Sequence, residues 1–129
     1  MKITIKLPPR TKKNSQRIVL VKGRPVIIQS KQYKDYEKAA SIFIPKTDKP
    51  IDYPVNVKML FYTQTRRRCD LVNHEEACLD ILTKYGILQD DNSNIVVSMD
   101  GSRVLYDKDN SRTEVEITKL AEEIKRWKE

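Results

Sequence analysis

The densest chemistry in this sequence lies between Arg66 and Asp91, in RRRCDLVNHEEACLDILTKYGILQDD. Asp70, Glu76, Asp80, Asp90 and Asp91 crowd carboxylates into a stretch introduced by Arg66, Arg67 and Arg68, within a chain that is otherwise basic. Carboxylates brought close together repel one another and resist ionising unless a cation offsets their charge, and a hard divalent ion such as Mg²⁺ does this through oxygen ligands. Mg²⁺ retains waters and needs only a few protein carboxylates, which suits chemistry on phosphates, where the ion steadies charge on the reacting oxygens and lowers the pKa of a bound water. Arginines beside such a site present planar forks to phosphate oxygens. A plainer reading of the same residues stays open. In it Asp70 is a helix cap, Glu76 and Asp80 are a solvated face, Asp90 and Asp91 form a polar turn, the arginines end a strand, and Lys12 and Lys13 are ordinary surface charge.

The carboxylates share a site only if the chain between them is helical. Placing Leu71 to Tyr85 on a helix, with Asp70 at its N-cap and Gly86 beyond its end, aligns Leu71, Cys78, Ile81, Leu82 and Tyr85 as a buried stripe. Asn73, Glu76 and Asp80 then stand above one another on a second stripe, at spacings of three and four. Asp70 borders that face from the first turn, and Ile87-Leu88-Gln89 carries the chain to Asp90-Asp91 at a loop end. His74 falls toward the apolar stripe, a packing position rather than that of a general base.

The rest of the chain reads as the support for this segment. KITIKL alternates Ile3, Ile5 and Leu7 as a half-buried strand ending at Pro8-Pro9, and a basic loop with Arg10, Lys12 and Lys13 follows. RIVLV and PVIIQ form two β-rich runs around a turn at Lys22-Gly23-Arg24. Ser30 is placed to cap a helix over KQYKDYEKAASIFI, in which Tyr33, Tyr36, Ala40, Phe43 and Ile44 recur at helical spacing up to Pro45. A connecting loop spans 45–54, and VNVKMLFYT alternates Val55, Val57, Met59 and Phe61 as a longer strand delivering the chain to Arg66. NIVVSMDGSRVLY predicts a strand interrupted at Asp100-Gly101, EVEITKL a final strand, and LAEEIKRWKE a terminal helix carrying Trp127. The order βββαβαβββα predicts an α+β fold: a single domain over 1–129, with a mixed β-sheet and two main helices packed on it.

Composition narrows the partners. A chain of 129 residues is sized for one domain. A net charge of +7 favours a polyanion, nucleic acid being the commonest. With no run of 18 apolar residues and no apolar leader in MKITIKLPPR, the expectation is a cytoplasmic protein with no membrane partner. Cys69 and Cys78 do not make a metal-binding spacing with the lone His74 and are expected to be reduced thiols, Cys78 in the core.

The run RRRCDLVN…EEACLDILTKYGILQDD resembles the signature of the RusA family of Holliday junction endodeoxyribonucleases: an arginine-rich approach, Asp-x-Asp-Asn opening a helix, a further helical Asp, and a Gly-then-Asp-Asp ending. LPPRTKKNS resembles that family's proline-rich first loop, with Asn14 as its asparagine. The resemblance implies a mixed sheet with helices, a homodimer, and use of Mg²⁺, with Mn²⁺ as an alternative, to nick four-way DNA junctions at paired symmetric positions in recombination and repair. By position, Asp70 and Asp91 match the family's catalytic carboxylates, and Asn73, Asp80 and Asp90 match further signature positions. Two positions depart from the pattern: Val72 stands where the family has a second Asp, and Glu76 where it has a lysine.

Carried through, the resemblance implies that Glu76 substitutes for the missing ligand, so that Asp70, Glu76 and Asp91 form the catalytic metal-binding set with Asp90 in support. Lys12, Lys13, Asn14, Arg66, Arg67, Arg68 and Asn73 would then hold DNA, and either the arginines or Lys84 would take over the lysine's phosphate contact. Two alternatives stand beside this reading. One is a catalytically weak or inactive branched-DNA-binding module; the other is a metal nuclease acting on other DNA or RNA forms.

Overall fold

Val55, Val57, Met59 and Phe61 are fully or almost fully buried while Asn56, Lys58 and Leu60 stay partly open, the period-two pattern of a strand with one face in a core. In the computed structural model, which describes residues 1–12, 16–29 and 31–121, this strand is β4 (Val55–Thr63), the centre of the main sheet. On one edge it pairs antiparallel with β7 (Arg112–Lys119), which in turn pairs antiparallel with β1 (Lys2–Ile5). On the other edge it pairs parallel, first with β5 (Val96–Ser98) and then with β6 (Arg103–Tyr106). The sheet is therefore mixed, as expected from the element order.

The interruption expected at Asp100-Gly101 is the gap between β5 and β6, and side chains fill the hydrogen bonds lost there. The Asn56 amide oxygen accepts from Ser98 Oγ and from the Asp100 N–H, both at 2.7 Å, and Asn56 Nδ2 donates to the Asp100 carbonyl at 3.2 Å. Ser102 Oγ accepts from the Met59 N–H at 2.9 Å, so the central strand keeps a partner where no ladder reaches it.

A parallel return to the same strand edge needs a crossover, and α2 (Leu71–Lys84) supplies it. Its Cys78, Leu79, Ile81 and Leu82 join Ile3, Ile5, the inward residues of β4, Val115 and Ile117 in one core, to which Ala40 and Ile44 also belong. Each Val, Leu, Ile, Met or Phe side chain so taken out of water contributes roughly 1.5–3 kcal/mol. Both helices thus pack on one face of the sheet.

α1 (Lys31–Ala40) is shorter than the predicted 31–44 helix. Its last turn tightens into a 3₁₀ segment, Ser41–Phe43, where Ser41 Oγ donates to the Lys38 carbonyl at 2.6 Å and competes with the regular ladder. α1 and α2 are joined at their far ends, where Lys84 pairs with Glu37 and the Tyr85 hydroxyl donates to the Glu37 carbonyl at 3.2 Å. The predicted hairpin is present as β2 (Gln16–Val21) and β3 (Arg24–Gln29), a separate two-stranded sheet. Lys22 and Gly23 both have positive φ, 53° and 78°, as its tight turn requires. The expected Ser30 cap and the terminal helix with Trp127 lie outside the described residues. Cys69 and Cys78 are free thiols, Cys78 in the core, where burial pushes its pKa up to about 12. No helix among the described residues is long and apolar enough to cross a membrane.

Candidate active site

α2 begins at Asp70, whose backbone is extended (φ −92°, ψ 123°) and whose carbonyl receives the His74 N–H at 3.3 Å. A cap side chain would accept from the backbone two or three residues on. Among the described residues Asp70 makes no such bond; one of its carboxylate oxygens instead accepts from Asn73 Nδ2 at 3.2 Å. The backbone of Asp70 caps the helix while its carboxylate stays exposed and oriented by an amide one turn on. Asn73, expected among the DNA contacts, is first of all the group that holds Asp70.

At the other end α2 closes on Gly86, with φ of 83°, where the Ile87 N–H reaches the Leu82 carbonyl at 2.9 Å and the Gly86 N–H reaches Thr83 at 3.2 Å. This paired closure turns the chain sharply. Ile87 and Leu88 then bury themselves, and the Gln89 N–H bonds the Ile51 carbonyl at 3.0 Å. The next two residues differ in role. The Asp90 carboxylate accepts from the Asp91 N–H at 2.8 Å and from Asn92 Nδ2 at 3.2 Å, and these bonds, the backbone one foremost, hold its pKa low. Asp90 ties the loop. Asp91 is pushed the other way, first by partial desolvation and then by the neighbouring Asp90 and by Asp80.

Asp91 thus feels the charge of both Asp90 and Asp80, and Lys12 from the N-terminal loop forms an ion pair with Asp80. Lys12 was expected to hold DNA; here it neutralises a carboxylate of the acidic face. Among the described residues no three His, Cys, Asp or Glu side chains form a group able to hold a metal ion, so one chain does not by itself assemble the expected Asp70, Glu76 and Asp91 set. Helix geometry gives the reason on the α2 side, since six residues separate Asp70 from Glu76 by about 9 Å along the axis. Glu76 is exposed, as the helical stripe predicted. Lys84, the alternative phosphate contact, is occupied by Glu37 and lies over the Tyr85 ring at 5.8 Å. Lys13 and Asn14 lie outside the described residues.

The arginine run divides. Arg66 stacks over the Tyr106 ring at 4.8 Å, against the edge of β6. Arg67 and Arg68 instead line a cleft of about 660 Å³ together with Arg10 from the loop after β1 and Gln32 from α1. Cys69, the residue before Asp70, and His74 complete the wall nearest α2. His74 is 5% exposed, its ring 5.1 Å from that of Phe61, and burial lowers its pKa. Its Nδ1 is buried with no hydrogen-bond partner among the described residues. Packing against Phe61 agrees with the role expected of His74, but its place in the cleft was not foreseen, nor was that of Gln32. The only sequence signal was the basic PPRT exit from the first strand.

The sequence matches the family described as endodeoxyribonuclease RusA over residues 6–118. The chain belongs to the RusA endodeoxyribonuclease family. No curated protein matches it. The match begins just after β1 and ends one residue short of the end of β7, so the strands β2 to β6, both helices and the acidic segment lie within it. Val72, at the position where a second Asp was expected, is 69% exposed on the first turn of α2, so the change removes a solvent-facing carboxylate without filling a core position. The donors that remain fit a hard divalent ion: they are oxygen ligands, Asp70 is left free by its cap, and Asp91 carries the repulsion of neighbouring carboxylates that a cation would relieve.

Proposed function

We propose that this chain is a Mg²⁺-dependent, structure-selective endodeoxyribonuclease that resolves four-way DNA junctions by paired symmetric nicks in recombination and repair. Asp70 and Asp91 would hold the ion, with Asp90 fixing the loop that presents Asp91; Glu76, about 9 Å further along the helix axis than Asp70, would take the place of the missing Asp by way of a metal-bound water. Mg²⁺ is held by few protein groups and completes its shell with waters and substrate phosphate oxygens, so DNA itself would finish a site that one chain leaves incomplete. The bound ion would supply charge neutralisation at the scissile phosphate and a more acidic water. Asn73 holds the Asp70 carboxylate in place, and Arg67 and Arg68 grip the backbone beside it.

The observation carrying this reading is that the Asp70 carboxylate is not used as a cap and that the residues just before it in the chain, Arg67, Arg68 and Cys69, line a cleft with Arg10. A junction has approximate two-fold symmetry, so a two-fold homodimer would set one such site on each of two opposing strands. The test incubates the protein with a labelled synthetic four-way junction, with and without Mg²⁺, beside linear duplex and an RNA of matching form. Paired nicks on the junction alone, dependent on the metal, are expected. Tight binding without metal-stimulated cutting would favour the binding-module alternative, and equal cutting of linear duplex would remove the junction selectivity.

A further inference from the structure

The cleft between the loop after β1, the β4–α2 loop and α1 is built for more than a backbone phosphate. Its volume, about 660 Å³, falls in the range of sites that enclose a whole small molecule. Among the described residues three arginines line it and no acidic residue does, which suits an occupant that carries negative charge. One anionic group would be satisfied by guanidinium forks alone. The remaining wall offers neutral hydrogen-bonding groups, among them Gln32 and the buried His74, whose Nδ1 has no partner among the described residues. No hydrogen bond within the protein occupies that ring nitrogen, so a ligand bonded by the His74 ring would displace no protein partner from it. Charge at one part and hydrogen-bonding edges at another together describe a nucleotide.

Resting on the nuclease reading above, we propose that this cleft receives one unstacked nucleotide of the substrate strand, its phosphate held by Arg10, Arg67 and Arg68 and its base edge bonded by His74 and Gln32. A paired base inside a duplex cannot enter such a cleft without leaving its stack, and extrusion costs least where pairing is already broken, as at a branch point. Cys69 lines the cleft, so the extruded nucleotide would lie against the residue that precedes Asp70 in the chain. The cleft thereby links branch recognition to the carboxylate that begins α2.

A fluorescent base analogue that brightens on leaving the stack tests this, placed either at the branch point or mid-arm of a four-way junction and titrated with the full chain without metal. The expected result is a severalfold rise for the branch-point label only. His74→Phe, which keeps a ring against Phe61 but removes the nitrogen, should abolish most of that rise, read at a protein concentration where a gel shift shows the junction fully bound. Gln32→Ala, at an exposed position, should reduce the rise without any folding defect, so the proposal does not depend on how well the His74 variant folds. A junction that is bound and cut with no brightening, or brightening unchanged in both variants, overturns the cleft assignment and leaves the nuclease reading intact. A junction neither bound nor cut removes that reading, and the nucleotide site with it.

Discussion

Replacing Gly86 by alanine tests how the fold delivers Asp91. A Cβ built on Gly86 meets nothing within 4 Å, so the substitution adds no clash and its cost is confined to the backbone, whose φ is +83°. An L-residue in that region loses roughly 1–2 kcal/mol. Alanine also restricts the unfolded chain, which returns about 0.4–1 kcal/mol to the folded state. The net loss is about 1 kcal/mol, which for a chain of this length lowers Tm by about 3–6 °C. Gly86→Asn should recover part of this, because asparagine tolerates the left-handed region better. Downstream, Ile87 and Leu88 are each 1% exposed and Gln89 is bonded to Ile51, so the strain should not reach Asp91. Thermal unfolding and junction cleavage below the transition are the paired assays. An alanine variant as stable as the parent would refute the helix-closing role of Gly86. One that keeps its stability but loses cleavage would refute the mechanical insulation of the Asp91 loop.

The two neighbouring acids should separate in function: Asp91→Asn should keep metal-free junction binding and lose cleavage by a factor of 100 or more in single-turnover gels, whereas Asp90→Ala, which unties the loop, should lower both stability and rate in part. Glu76→Gln should also slow cleavage while sparing binding if Glu76 is a ligand, and undiminished cutting would defeat that substitution. Arg67→Ala or Arg68→Ala should weaken junction binding and flatten its salt dependence, by a slope of about one per lost phosphate contact. Arg66→Ala, whose guanidinium stacks on Tyr106, should change binding less. Because burial lowers the His74 pKa, the neutral ring favours the fold above its ordinary pKa of about 6.5, and this stability is lost as pH falls through the lower folded value. Urea unfolding between pH 7 and 4.5 should show an acid limb that His74→Phe makes shallower.

Periodicity made much of this architecture legible. The alternation in Val55–Phe61 identified the central strand, and the three- and four-residue spacings after Asp70 identified both the buried and the exposed faces of α2. Lys22-Gly23 marked the hairpin, and Asp100-Gly101 marked the interruption of the strand edge. Less legible was whatever depends on competition between a side chain and the backbone: Ser41 shortens α1, and Asp90 folds back on its own loop while Asp91 does not. No local pattern distinguishes two adjacent aspartates whose difference is which N–H each can reach. The pairing of Lys12 with Asp80 and the meeting of Arg10, Gln32 and Arg68 at one cleft join residues far apart in sequence, which single-sequence spacing does not encode.

The acidic segment of this basic chain is thus two arrangements rather than one cluster. At the start of α2, Asp70 is held by Asn73 beside the arginine-lined cleft; beyond its end, Asp91 stands with Asp80 and Asp90, and Lys12 has already neutralised part of that charge. Among the described residues of the free chain no three acidic side chains form a group able to hold a metal ion. A cation that is only weakly held by protein alone would then bind more tightly once phosphate oxygens supply the missing ligands. By linkage, the metal would in turn tighten DNA binding by the same factor. Junction affinity of the Asp91→Asn variant should therefore lose the Mg²⁺ dependence that the parent shows, and a parent whose affinity is indifferent to Mg²⁺ would disprove this coupling.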